Sequence, residues 1–223
     1  IAAKQLQAGA IGITCQKLGE AEVMAEAGIA GLLIANQIVG EIKIERLVNL
    51  ARRTDITIAV DDAANVAALS AAASQAGVTI GVLVEVDVGM HRCGVQPGEP
   101  TLGLARQVVE APGLAFRGLM GYEGHAVMID DASDRRETAV ASLRRLVDTA
   151  ELLRGQGIAV DVVSSTGTGT FDIGGGFPGV TEIQVGSYAT MDGRYLQVGV
   201  PFEPALAVLV SVISTPQPGL AII

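Results

Sequence analysis

VVSSTGTGT, residues Val162–Thr170, is a short apolar run that breaks into hydroxyls and glycines. QVGSY, residues Gln184–Tyr188, repeats that change after the run Glu182–Val185. A strand that stops abruptly in Gly, Ser and Thr leaves backbone N–H groups and hydroxyl donors at its C-terminal end. Such an end suits a phosphate or another oxyanion, which needs donors and close backbone approach more than a cation. Two in succession suggest one anion held between neighbouring loops. The other open reading is a pair of ordinary strand-to-helix turns, with glycine there for positive φ.

Outward from these stretches the chain repeats one phrase: a helical stretch ends in a small residue and Gly, an apolar strand follows, and the strand ends in polar residues. Ala10–Thr14 runs into Cys15-Gln16-Lys17, Leu32–Ala35 into Asn36-Gln37, and Ile56–Val60 into Asp61-Asp62. Val78–Val84 leads to Glu85 and Asp87, Leu114–Met120 to Gly121–His125, and Val160–Val163 to the opening stretch. Between them Glu20–Ala27, Glu41–Arg53, Ala63–Ala76, Thr101–Ala111 and Ser133–Gly155 carry 3.6-residue periodicity. Ser133 with Asp134 reads as the N-cap of the last of these, and Asp61-Asp62 as an N-cap pair. Alternating strands and helices predict a parallel sheet with right-handed crossovers.

With Glu182–Val185, seven strands are counted, and the chain opens inside a helical stretch, Ile1–Gln7. The expected fold is α/β, a (β/α)8 TIM-type barrel whose first strand lies just upstream of Ile1. Ala205–Ser214 reads as a strand beyond the barrel, and Gly219–Ile223 as the start of another. The expected division is a barrel domain over 1–204 and the truncated beginning of a β domain over 205–223, an excised piece of a longer protein. A doubly wound sheet is disfavoured by the lack of an early G-x-G-x-x-G.

Composition agrees. The 223 residues are 49% hydrophobic but only 3% aromatic, without Trp, so the core is aliphatic, as buried parallel strands require. Charges interrupt every apolar stretch before the ~18 residues of a membrane span, and no signal-like segment opens the chain, which predicts a cytoplasmic location. A formal net charge of −9 argues against nucleic acid or an anionic membrane as partner. The two cysteines, Cys15 and Cys93, read as reduced, buried fillers, and two histidines cannot make a His-rich metal cluster.

In a barrel the C-terminal strand ends form the active face. Gln16, Asn36, Asp61, Glu85, Asp87, Arg92, Tyr122, His125, the Ser164–Thr170 loop, Gln184 and Ser187 are expected to converge there. Arg92 is either a site cation or half of a solvent-facing ion pair. His125 is either a general base or a satisfied loop histidine.

At these residues a family resemblance enters. EVDVGMHRCGV, Glu85–Val95, resembles the segment of fold-type III pyridoxal-phosphate enzymes in which Asp-x-Gly-Met-x-Arg-x-Gly follows a barrel strand. GYEGH (Gly121–His125), SSTGTGT, EIQVGSY, MDGRY (Met191–Tyr195) and the opening AAKQLQAGAIGITCQKLGEAEV are similar to the D-threonine aldolase and D-serine dehydratase-like group, so the resemblance spans essentially the whole chain. It implies an alanine racemase-like barrel binding pyridoxal 5'-phosphate. Thr168, Gly186 and Ser187 would hold the cofactor phosphate, with Gly169 also among the cofactor-binding positions. Arg92 would face the pyridoxal phenolic oxygen, Gln16 and Tyr195 would sit at the cofactor, and Tyr122 near its ring. Gln184 stands where alanine racemases have an Arg facing the pyridine nitrogen, which suits chemistry other than racemisation. The family's Schiff-base lysine belongs to a segment just ahead of Ile1. Its divalent-metal ligands (for Mn, Mg or Zn) belong to a C-terminal β domain.

The resemblance therefore implies a metal-assisted lyase that cleaves a D-3-hydroxy amino acid by retro-aldol reaction, with Tyr122 and His125 as catalytic candidates, while the piece itself is expected to be inactive. Two alternatives stay open. A D-serine dehydratase-like ammonia-lyase would release a keto acid and ammonia instead of glycine. A non-catalytic pyridoxal-phosphate carrier would lack the downstream β domain. The partner is a small D-amino acid, and a homodimer is the assembly the resemblance brings with it.

Overall fold

The computed structural model describes residues Ile1–Ile223. Seven strands lie in one parallel sheet in chain order: β1 (Ile13–Cys15), β2 (Leu32–Gln37), β3 (Ile56–Val60), β4 (Ile80–Glu85), β5 (Leu114–Met120), β6 (Val162–Ser165) and β7 (Glu182–Ile183). Helices α1 (Ala2–Gln7), α2 (Leu18–Glu26), α3 (Glu41–Ala51), α4 (Ala63–Ala76), α5 (Glu99–Glu110) and α6 (Ala132–Gly155) precede or connect the first six. Short helices α7 (Phe171–Gly174) and α8 (Gly193–Val198) flank β7. These are seven strands of the expected barrel; β1 and β7 are the sheet's two edges. The sheet curls until those edges approach, so that Gln5 Nε2 of α1 donates to the Tyr188 hydroxyl beyond β7 at 2.7 Å.

Strand alternation divides the interior into two parts. Leu32, Ile34, Ile56, Ile58, Val60, Ile80, Val82 and Val84 face outward and join Leu47, Leu50, Leu69, Leu102, Val108, Leu146 and Leu153 of the helices in one aliphatic core. The intervening Leu33, Ala59, Leu83 and Met120 face inward and form a smaller cluster within the curl. That inner row carries on into the polar residues at the strand ends, which is how the sheet aims them at one place.

Strand β5 departs from regular pairing. Val82 pairs with Phe116 but Leu83 pairs with Gly118, so Arg117 is an extra residue on the β5 side. The bulge turns Arg117 into the N-terminal end of the curl, where Nη1 donates to Thr57 Oγ1 at 2.8 Å and to Asp55 Oδ2 at 3.0 Å, with Nη2 bonding Asp55 Oδ1. The Arg117 guanidinium holds the Asp55 carboxyl below the usual carboxylate range. A folded carboxyl depressed in this way adds stability above its unfolded value and loses that increment as the pH falls through its folded value. Urea melts of Asp55→Asn and the parent should therefore differ at pH 7 and converge as the pH falls below the ordinary aspartate range. A difference that stays constant over that range would contradict the assignment.

Helix starts follow side-chain caps, with one correction. Asp62 caps α4 by accepting from Asn65 N–H at 3.0 Å, but Asp61 is no cap: its Oδ2 accepts from Gly94 N–H at 2.9 Å. The cap of α6 is Asp131, not Ser133, because its carboxylate accepts from the N–H groups of both Ser133 and Asp134. Ala205–Ser214 does not form the expected strand. It is an exposed extended segment, and only Ser214–Gln217 (β8) pairs, antiparallel with Leu220–Ile222 (β9). A strand needs a ladder partner, and 205–213 has none until Ile213 N–H meets the Ile222 carbonyl. Cys15 is buried as expected, and burial pushes its thiol up to about 11, whereas Cys93 is only partly buried. No helix is long and apolar enough to cross a membrane.

Candidate active site

A cavity of about 760 Å³ opens at the C-terminal strand ends between the two edges of the sheet. Of the expected residues it gathers Gln16, Arg92, Tyr122, Ser165–Thr168, Gln184, Gly186, Ser187 and Tyr195 along its lining. Arg92 is the one Lys or Arg side chain there, and no Asp or Glu lines it.

The loops after β6 and β7 form one wall. Thr168 Oγ1 accepts from Tyr188 N–H at 3.1 Å, which joins the two loops and leaves the Thr168 proton free to donate. The N–H groups of Gly167, Thr168, Gly186 and Ser187 bond to no acceptor in the chain. Four free donors and the Thr168 hydroxyl around one cavity form a cradle for an oxyanion. The residues present thus fit the phosphate of a cofactor. Tyr195 reaches the same wall because Asp192 caps α8, accepting from Arg194 N–H at 2.8 Å and Tyr195 N–H at 3.0 Å. Burial raises the Tyr195 phenol, against the hydrogen bond it makes with Ser187.

Gln184 is oriented by a relay. The Ser164 hydroxyl donates to Glu182 Oε1 at 2.6 Å, so it can only accept from Gln184, whose Nε2 lies 2.7 Å away. A carboxylate at the end of the chain fixes the direction of both bonds.

Arg92 rides on the loop after β4. Asp61 holds that loop through Gly94 N–H, and Asp87 through Gly89 N–H, His91 N–H and His91 Nδ1, at 2.9 to 3.0 Å. Burial raises Asp87, but the His91 and Gly89 hydrogen bonds outweigh it and leave the carboxyl below its ordinary value. The guanidinium lies 5.6 Å from the Tyr122 ring centroid and 4.0 Å from Glu85. Burial raises the Glu85 carboxyl, and the Gln37 hydrogen bond and Arg92 oppose it. The Tyr122 phenol is pushed up to about 12, first by burial. It is therefore a hydrogen-bond donor near neutral pH and not a phenolate base. Ultraviolet titration of the protein against Tyr122→Phe should assign to Tyr122 a component ionising near pH 12; a component near pH 10 would contradict this.

Several expected residues are elsewhere. His125 is exposed and outside the cavity lining, with Nε2 3.4 Å from the Ser142 hydroxyl of α6. Its imidazole packs beside Gly89 of the loop after β4. Gly169 is not among the lining residues, and a Cβ there would clash with the Val127 carbonyl. Asn36 supports Gln16 by donating to its carbonyl at 3.1 Å, and Asp61, Glu85 and Asp87 support the Arg92 loop. No group of three His, Cys, Asp or Glu residues is placed to hold a metal.

The residue the sequence reading passed over is Glu123. It is fully buried, and its carboxylate accepts from Ser165, Thr166 and Thr170. The signal was present, since an acid stands in the middle of GYEGH, but its partners lie 42 to 47 residues further on.

A curled parallel sheet whose strand-end loops converge on a donor-rich cavity defines an α/β barrel domain with that cavity at the C-terminal ends of its strands. The alanine racemase N-terminal domain family matches residues 1–193, and the chain belongs to that family. It is 41% identical to a D-threonine aldolase from an Arthrobacter species, over all of this chain and 60% of the relative. It is 35% identical to a 3-hydroxy-D-aspartate aldolase from Paracoccus denitrificans, over 96% of this chain and 58% of the relative. Among solved structures, a D-threonine aldolase from Filomicrobium marinum superposes with a TM-score of 0.92 at 40% identity, covering 99% of this chain and 61% of that one. The chain thus spans about three fifths of the length of these relatives.

Proposed function

We propose that this chain is the cofactor-binding barrel domain, 1–204, of a longer protein in which 205–223 opens a β domain. On this reading the intact protein uses pyridoxal phosphate to cleave D-3-hydroxy amino acids by a retro-aldol reaction. The observation that carries the reading is the free-donor cradle after β6 and β7, found in a chain 40% identical over 99% of its length to a D-threonine aldolase structure. The other relative is named for a 3-hydroxy-D-aspartate aldolase, so the shared substrate class is the D-3-hydroxy amino acid. Pyridoxal phosphate, when bound, supplies a conjugated electron sink for the pair released as the substrate Cα–Cβ bond breaks.

The chain's own residues have definite work in this scheme. Gly167, Thr168, Gly186 and Ser187 bind the phosphate with N–H and hydroxyl donors in a protein of net charge −9, where the global field does not attract an anion. Arg92, whose guanidinium lies over the Tyr122 ring, would set a cation against the phenolic oxygen of the cofactor. Gln184, oriented by Ser164 and Glu182, would offer a neutral amide to the ring nitrogen. Tyr122 keeps its proton and positions by donation. His125 is exposed and is not among the residues lining the cavity, so we do not assign it the base. The residues present do not fit a divalent ion, and we assign the ion to residues outside this chain, with no step routed through it here. We also take the protein to be a cytoplasmic homodimer; its two cysteines are unpaired, as a reducing compartment allows.

The test is product identity. The full-length protein, supplied with pyridoxal phosphate and a divalent ion, should convert D-threonine to glycine and acetaldehyde and leave L-threonine intact. Release of a keto acid with ammonia would replace this reading by a dehydratase, and a bound cofactor without turnover would replace it by a carrier.

A further inference from the structure

Glu123 is the fully buried acid of the chain, and none of the six ion pairs includes it. A carboxylate in that position persists only when its lone pairs are taken up by donors. Its donors come from the end of β6 and the loop that follows: the Ser165 hydroxyl at 2.8 Å and Thr166 N–H at 3.1 Å on Oε2, and the Thr170 hydroxyl at 2.6 Å on Oε1. The Ser165 hydroxyl is shared with the Gly121 carbonyl at 2.6 Å, which ties the same loop to the end of β5.

Thr166 is the residue under constraint. Its φ is +78°, a conformation that a β-branched residue adopts only when its surroundings impose it. Its own hydroxyl does not hold it there, since Thr166 Oγ1 is buried without a hydrogen-bond partner and packs on Gly174. Its polar anchors are the Thr166 N–H bond to Glu123 at 3.1 Å and a longer bond of 3.3 Å from Gln184 N–H to the Thr166 carbonyl. The left-handed turn at Thr166 is also what sends Gly167 and Thr168 along the cavity with their N–H groups unpaired.

We infer that Glu123 is a positioning residue that holds Thr166 in its left-handed turn and so aims the Gly167 and Thr168 N–H groups at the cofactor phosphate. This rests on the pyridoxal-phosphate reading above. A carboxylate suits the task because it is acceptor-only, and so can take the Thr166 N–H and the Thr170 hydroxyl together while sharing the Ser165 hydroxyl with the Gly121 carbonyl. Glu123 lines no part of the cavity, so its effect passes through the loop.

The experiment titrates the full-length protein, Glu123→Ala and Thr170→Val with pyridoxal phosphate and with pyridoxal, which lacks the phosphate, followed by absorbance. Glu123→Ala should weaken pyridoxal-phosphate binding at least about tenfold while its pyridoxal affinity stays within about threefold of the parent. Thr170→Val keeps the carboxylate and removes one donor. It should shift the same ratio by a smaller factor, and it carries the test should Glu123→Ala not fold. Equal losses for the two ligands, or none for either, would overturn the inference. A parent protein that binds pyridoxal as tightly as pyridoxal phosphate would overturn the phosphate assignment itself, and this inference with it.

Discussion

Gly118→Ala is expected to destabilise the protein by at least about 4 kcal/mol, within the class of severe backbone and packing defects. Gly118 has a φ of +147°, which an L side chain rarely adopts, and an added Cβ would stand 1.9 Å from the Val162 carbonyl of β6. Neither atom can give way, because Gly118 pairs with Val162 in the β5–β6 ladder and also closes the bulge that turns Arg117 inward. The damage reaches the site directly. The end of β5 carries Tyr122 and Glu123, the end of β6 carries the Ser-Thr-Gly loop, and the pairing at Gly118 sets one against the other. Denaturant melts check the figure, and a loss under about 1 kcal/mol would mean that the bulge is not built as described.

Arg92→Met should weaken pyridoxal-phosphate binding by about 10- to 100-fold, the size expected for losing a hydrogen bond to a charged group. The substitution keeps an apolar stem of similar length and removes the single Lys or Arg side chain lining the cavity. Stability should change little, since the Arg92 side chain is 52% exposed and its contact with Glu85 is 4.0 Å long. Arg92→Lys should fall between the two, because an ammonium keeps the charge but loses the planar fork. Equilibrium dialysis with the full-length variants measures the ratio. An unchanged affinity in Arg92→Met would remove Arg92 from the cofactor site.

Much of this architecture was legible in the residues. Ile56–Val60 and Leu114–Met120 are strands with the bounds their apolar runs suggest, and Ala63–Ala76 is a helix between Asp62 and Gly77. Polar punctuation after each run marked the end of the sheet where the cavity lies, because strand ends in such a sheet point one way. What was not legible depends on phase or on distant partners. His125 sits in an irregular loop, where neither the period of a strand nor that of a helix says which way a side chain turns. Asp131 and Ser133 are both good caps two residues apart, and the geometry of the entering chain selected the carboxylate. Glu123 drew no attention because an acid beside a catalytic candidate has no visible partner until the loop after β6 folds against it. Ala205–Ser214 has strand composition, but pairing is a property of two segments.

The most direct measurement is a crystal structure of the full-length protein with pyridoxal phosphate bound. The account puts the phosphate between the β6 and β7 loops, with its oxygens within hydrogen-bond distance of the Gly167, Thr168, Gly186 and Ser187 N–H groups and Arg92 beside the phenolic oxygen. A phosphate held elsewhere on the barrel, with those four N–H groups facing solvent, would contradict it.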